Sequence, residues 1–305
     1  MHRSFIGNAY LLRRLVPVAA LALLVTACSM ADFAYDLAPR LAVRFVDDYL
    51  QLDNRQAEQA LVLFRERHAL HARDELPRYY RFLVETETAT RDGIDAGEVD
   101  AVFDQVREFF RLGIERTIPA AAEILAGLNV DQLDALQERL QEDVAEDRKR
   151  LAEDHAARRR KETLEDFEEW VGDLAEPQQQ MIMRELKAME ETRPLWLNWQ
   201  ITRNEQLIEL LRSRPQRDAI EAFLADYWIH QSSAPEELVQ GMTANRQRYR
   251  AMIVALDGSM SERQRRSVRE KLEEYREMVL DMMPEEIRVV ILEELPGNPA
   301  QRIHQ

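Results

Sequence analysis

From residue 28 onward, apolar positions return at the three- and four-residue spacing of a helix face, and no convincing stretch alternates with the period of two that marks a half-buried strand. Four segments set the phase. Each places an apolar residue, a capping position, two further residues and then glutamine: Leu52 to Gln56, Leu128 to Gln132, Leu174 to Gln178 and Met260 to Gln264. Asp53, Asn129 and Ser261 can accept a hydrogen bond from the free amides of a first helical turn, and a glutamine three residues on can reach back to the cap. Ala175 cannot cap, but Pro177 suits a first turn. Four and eight residues after each glutamine stand Ala60 and Phe64, Leu136 and Leu140, Ile182 and Leu186, Val268 and Leu272. The pattern predicts four helix starts with matching apolar stripes, a weak internal repeat.

Prolines divide the rest, because proline lacks an amide donor and restricts the residue before it. The predicted helices span 32–50, 54–73, 75–91, 97–126, 130–171, 177–192, 195–212, 216–230, 236–256, 262–282 and 285–294. The fifth would run ~60 Å at 1.5 Å per residue. Its middle, AEDRKRLAEDHAARRRKE (residues 145–162), has Leu151 as its one large aliphatic residue and reads as a solvated, ion-paired bridge. The expected architecture is all-α: an elongated multi-helix bundle with an N-terminal half over 28–145 and a C-terminal half over 146–305, joined through that long charged helix. Composition agrees. Only nine glycines occur, and strong helix formers dominate.

Residues 1–27 stand apart. Arg3, Arg13 and Arg14 precede a short apolar run from Leu15 to Ala27 that ends at Cys28, the single cysteine. The run is shorter than the ~20 residues a membrane-spanning helix needs, so it reads as a leader. With Cys28 as the single cysteine, no internal disulfide can form and stability must come from packing. The formal net charge of −15 argues against nucleic acid as a partner, because a polyanion repels phosphate backbones.

Candidate chemistry is sparse. His68 and His71 stand three apart with Glu75 four further on, which could bring two imidazoles and a carboxylate together as zinc ligands, but Asp74 and Pro77 interrupt the helix between them. Trp196 and Trp199 share a helix face; with Tyr227, Trp228, Tyr79 and Tyr80 they form either core or a partner-docking surface. The methionines of the C-terminal half, Met181, Met183, Met189, Met278, Met282 and Met283, carry the same two readings. No phosphate-binding loop, dinucleotide fingerprint or nucleophile elbow is present, and no cofactor is expected.

Three resemblances follow from these residues. Val25-Thr26-Ala27-Cys28 resembles the lipobox of bacterial lipoproteins, which implies a diacylglycerol on the Cys28 thiol, cleavage before it and a stable membrane anchor. Ser29, in place of the aspartate that retains such proteins at the inner membrane, implies the periplasmic leaflet of the outer membrane. Together with Tyr35, Asp47, Asp48, Tyr49, Leu52, Gln56 and the run Glu75-Leu76-Pro77-Arg78-Tyr79, the chain is similar to a proteobacterial lipoprotein family of unknown function. More loosely, the capping boxes resemble the LTxxQ motif of small periplasmic stress chaperones. The resulting expectation is a lipid-tethered, non-enzymatic periplasmic protein with a binding or chaperone-like role toward another envelope protein, unfolded or partly assembled clients included; the rivals are a metal-assisted hydrolase using His68, His71 and Glu75, and a structural spacer.

Overall fold

The computed structural model describes residues 28–152 and 155–294. The expected leader over 1–27 lies outside them. Twelve α-helices and one short π-helical turn are found among the described residues, with no strand. They are α1 (Cys28–Leu50), α2 (Asn54–Asp74), α3 (Leu76–Ala89), α4 (Ala96–Ala126), α5 (Val130–Ala152), α6 (His155–Val171), α7 (Glu176–Lys187), α8 (Arg193–Arg212), α9 (Arg217–Ala225), the π-turn (Asp226–His230), α10 (Glu236–Asp257), α11 (Glu262–Asp281) and α12 (Glu285–Glu294). The protein is an all-α multi-helix bundle. The expected helix over 130–171 is described as α5 and α6, with residues 153 and 154 outside the described set. Ion pairs four residues apart support its charged surface, such as Arg158 with Glu162 at 2.8 Å and Lys161 with Glu165 at 3.1 Å. It is not solvated throughout, since Asp147 is buried.

The four capping segments determine how helices meet. In each, the glutamine Oε1 accepts from the backbone amide three residues earlier: Asp53 at 2.9 Å, Asn129 at 3.0 Å, Ala175 at 2.9 Å and Ser261 at 2.9 Å. The glutamines then pair. Gln132 Nε2 donates to Gln56 Oε1 at 2.7 Å and Gln56 Nε2 donates back at 3.1 Å. Gln264 and Gln178 do the same at 2.9 and 3.3 Å. Each Nε2 also donates to a backbone carbonyl five residues before its partner glutamine: Gln132 to Gln51, Gln56 to Gly127, Gln264 to Asp173 and Gln178 to Ser259. Both amide hydrogens and both oxygen lone pairs are thereby used. The result is two pseudo-twofold knots that lock hairpin α1–α2 to α4–α5, and hairpin α6–α7 to α10–α11.

Apolar packing then joins the two halves. The largest core gathers Leu50, Ile118, Leu128, Leu133 and Leu136 with Ile208, Leu211, Ile220 and Leu224. A second joins Leu76 and Tyr80 of α3 to Val279, Met283 and Ile291. Helices from both sides of residue 145 therefore share cores. A third, around Val171, Ile182, Met252 and Leu256, lies within the C-terminal half. The expected stripes are used: Ala60 and Ile182 are fully buried, and Leu136, Leu186 and Leu272 are nearly so.

Helix α8 breaks the amphipathic rule. Beside Trp196, Trp199, Ile208 and Leu211 it buries Gln200, Arg203 and Asn204. Polar residues at this depth need partners, and how far they find them defines the site below.

Candidate functional site

The residues singled out as metal candidates do come together, but as an ion-pair node. Helix α2 continues to Asp74, and Glu75 caps it while α3 begins with Pro77 in its first turn. This junction turns the Glu75 carboxylate inward, where it is 3% exposed. Arg116 of α4 meets its Oε1 at 2.7 Å and Arg67 stands 3.6 Å away. Tyr79 donates to Oε2 at 3.4 Å, and His71 Nε2 lies 4.0 Å off. His71 Nδ1 is in turn bonded to the Tyr35 hydroxyl of α1 at 2.8 Å, and His68 packs its ring on Tyr35 with centroids 4.2 Å apart.

Burial pushes the His71 pKa down, with the Arg67 and Arg116 charges adding to it and Glu75 opposing; burial also lowers His68. Both rings are thus held toward the neutral form. Burial raises the Tyr35 and Tyr79 hydroxyls, which stay protonated and serve as donors. Every Glu75 oxygen is spent on protein groups, so its lone pairs are not turned toward a metal beside the imidazoles. Among the described residues no cluster of three or more His, Cys, Asp or Glu is arranged to hold a metal ion. What the node does is clasp α2, α3 and α4 through one carboxylate and add α1 through the Tyr35–His71 bond.

The aromatic residues divide. Trp196, Trp199 and Tyr227 are buried with Leu238, edge to face at 4.9 and 5.4 Å, and Trp199 donates to Ser233 at 3.1 Å. Tyr80 is buried and Tyr79 half-buried. These take the core reading. Trp228, on the π-turn, remains exposed. Of the methionines, Met278 and Met283 are buried and Met181, Met183, Met189 and Met282 pack against cores.

An open groove lies where no motif pointed. Helices α5 and α8 run antiparallel, pinned at one end by Arg212 against Asp134 and Gln137 and by Arg214 donating to the Leu128 carbonyl. Along their contact runs a groove of about 510 Å³. Leu140, Val144, Ile201 and Ile208 give it an apolar lining; Gln137, Gln141, Arg148, Glu205, Glu209 and Arg212 rim it. Asn204 also lines it and is 8% exposed. Its Oδ1 accepts from Tyr227 at 3.4 Å, while its Nδ2 is buried with no hydrogen-bond partner. One turn earlier, Gln200 Oε1 is buried without a partner as well.

Arg203, between them, is better provided for. It stacks over Phe223 at 4.2 Å and pairs with Asp226 at 3.0 Å, drawing the π-turn against α8. The sequence signal for this site was the polar trio Gln200, Arg203 and Asn204 at helical spacing on a face otherwise made of Trp, Ile and Leu. Chemically the groove offers an apolar lining under a polar and charged rim. It presents no nucleophile and base in contact.

No curated protein and no solved structure is similar to the chain at a significant level. One family does match, over residues 48–233, a span that takes in the first glutamine knot, the Glu75 carboxylate and both walls of the groove. The chain therefore belongs to the Family of unknown function (DUF6279).

Proposed function

We propose that this is a lipid-tethered, non-enzymatic binding protein of the cell envelope, which holds a segment of another polypeptide in the α5–α8 groove. The observation that carries the reading is the apolar floor of Leu140, Val144, Ile201 and Ile208 between two helices, a surface of the kind that receives partner segments. The rim of Gln137, Gln141, Glu205 and Glu209 and the net charge of −15 keep such a floor soluble when empty. The tether rests on the lipobox-like run ending at Cys28, and the absence of aspartate at Ser29 favours the outer membrane's periplasmic leaflet.

Filling the groove tests the function. The protein as isolated should slow aggregation of a chemically unfolded model client. Ile201→Trp and Gln141→Trp, at half-buried and exposed lining positions, should abolish that protection while leaving the melting temperature within a few degrees. Equal protection by the filled variants would refute the reading. The tether is tested separately: Cys28→Ala should lose labelled palmitate and release the protein from membranes, and unchanged fractionation would sink it.

A further inference from the structure

We propose that the stretch of α1 from Cys28 to Ala38 is an arm hinged at Pro39, latched by Tyr35 on His68 and His71 and released by mild acid. The opening stands on contacts within the protein; only its effect on the distance to a membrane rests on the tether proposed above.

The hinge comes from the backbone. Pro39 lies inside α1 and has no amide to give the carbonyl four residues earlier, which is that of Tyr35. One rung of the helix is missing there, and helices bend at such positions. The two sides of the hinge are held differently. Beyond it, Leu50 is buried in the largest core with Val46 and Tyr49 packed against that core, Tyr49 donates to Asp143 at 2.7 Å, and the Gln51 carbonyl enters a glutamine knot. Before it, Tyr35 brings α1 to the core of Leu76, Tyr80, Val279 and Met283, and its side chain closes over two histidines of α2.

Those histidines make the latch sensitive to protons. The Tyr35 hydroxyl bonds His71 Nδ1 at 2.8 Å, and the Tyr35 and His68 rings lie with centroids 4.2 Å apart. His68 Nε2 is shielded from solvent and has no hydrogen-bond partner. An imidazolium carries a hydrogen on both nitrogens, so protonating His68 under the closed arm buries a charged donor without an acceptor. Around His71 stand Tyr79 of α3, Arg67 of α2, Arg116 of α4 and the Glu75 carboxylate, which both arginines already engage. Burial lowers the His71 pKa, with His68 and the two arginines adding to it and Glu75 opposing; burial lowers that of His68, with the Tyr35 backbone and Asp36 of α1 opposing.

Lifting the arm returns both rings to water and toward their ordinary value of 6.5. The open form then binds more protons than the closed one, so the arm is fully latched above pH 6.5 and is released progressively below it. Each histidine raises the open population by up to ~10-fold between pH 7.5 and 5.5, and the two together by up to ~100-fold. From Cys28 to Pro39 the helix measures ~16 Å at 1.5 Å per residue. With lipid on Cys28, a released arm lets the body stand off from the bilayer by up to about that length.

The test is backbone hydrogen exchange on the protein as isolated, at pH 7.5 and 5.5, with each rate corrected for intrinsic exchange at that pH. Protection over residues 32–38 should fall ~10- to 100-fold at pH 5.5, and over residues 40–50 by less than ~2-fold. His68→Gln with His71→Gln should leave protection of the arm equal at the two pH values. Tyr35→Phe should lower it ~2- to 10-fold at pH 7.5, the size of one hydrogen bond, with the acid response kept. Pro39→Ala restores the missing rung and should bring the two stretches to similar protection. Equal loss over both stretches in the unsubstituted protein, no loss at pH 5.5, or an acid response that survives the double histidine variant would overturn the proposal. The first two outcomes decide it even if a variant fails to fold. Cys28→Ala should open at the same pH. If the arm opens but the protein carries no palmitate, the latch stands and the stand-off falls with the tether; if palmitate is present and the arm stays shut, the tether stands and the latch falls.

Discussion

Gln132→Ala cuts one of the two glutamine knots and gives a magnitude that can be worked from the geometry. Gln132 is 5% exposed. Its amide makes four hydrogen bonds: one from Asn129 N at 3.0 Å, one to Gln51 O at 3.0 Å, and the reciprocal pair with Gln56 at 2.7 and 3.1 Å. At ~1 kcal/mol net for each, losing all four costs about 4 kcal/mol. Gln56 is only half-buried, so water can replace part of its loss, and the expected cost is ~2–3 kcal/mol, or ~5 °C in melting temperature for a domain of this size. Gln180→Ala, which removes an exposed amide bonded to Glu176 on its own helix, should stay within ~0.5 kcal/mol. Gln56→Ala shares two of the four bonds. A urea-denaturation cycle over both sites should therefore show a coupling of ~1–2 kcal/mol, the second substitution costing less than the first. A Gln132→Ala cost no larger than that of Gln180→Ala, or strict additivity of Gln56→Ala and Gln132→Ala, would refute the knot as a unit.

Two further outcomes follow from the same contacts. Burial holds the His68 and His71 pKa values below 6.5, so on acidification the unfolded chain takes up protons before the folded one. Stability is therefore full above pH 6.5 and falls as pH drops below it. Thermal melts from pH 7.5 to 5.0 should show this loss reduced in His71→Gln, and identical profiles would exclude the histidines as its source. At Gly241 of α10 an added Cβ would lie 2.7 Å from Thr192 Cγ2, beside the strap that Asn245 fixes by bonding both the amide and the carbonyl of Glu190. Gly241→Ala should cost ~1–3 kcal/mol through overpacking. Adding Thr192→Ser, which removes that methyl, should restore most of it in urea titrations; no recovery would place the strain elsewhere.

Local rules carried the sequence reading a long way. Helix starts at Asn54, Val130 and Glu262 follow from a cap and a glutamine three residues on, and the start at Glu176 from Pro177 and its glutamine, information that is complete along the chain. The Glu75 junction was legible as a break, since Asp74 and Pro77 mark it, but not as an ion-pair node: Arg116 lies on another helix and Tyr35 on a third, and no spacing reports that. The groove was not legible at all. Its walls come from helices whose apolar stripes read as ordinary core, and whether Leu140 and Ile201 end up covered depends on how α5 and α8 pack.

By itself, then, the sequence determined the all-helical class and where nearly every helix begins and ends, because capping, proline geometry and apolar periodicity act within a few residues. Only the tertiary structure decided which capping turns pair. An amide can tie its own helix start by local rules, but its remaining hydrogen and lone pair select a partner some eighty residues away through packing alone. The same holds for Asn204: its type and helix are written in the sequence, while its being buried with one donor unmet is a consequence of tertiary packing.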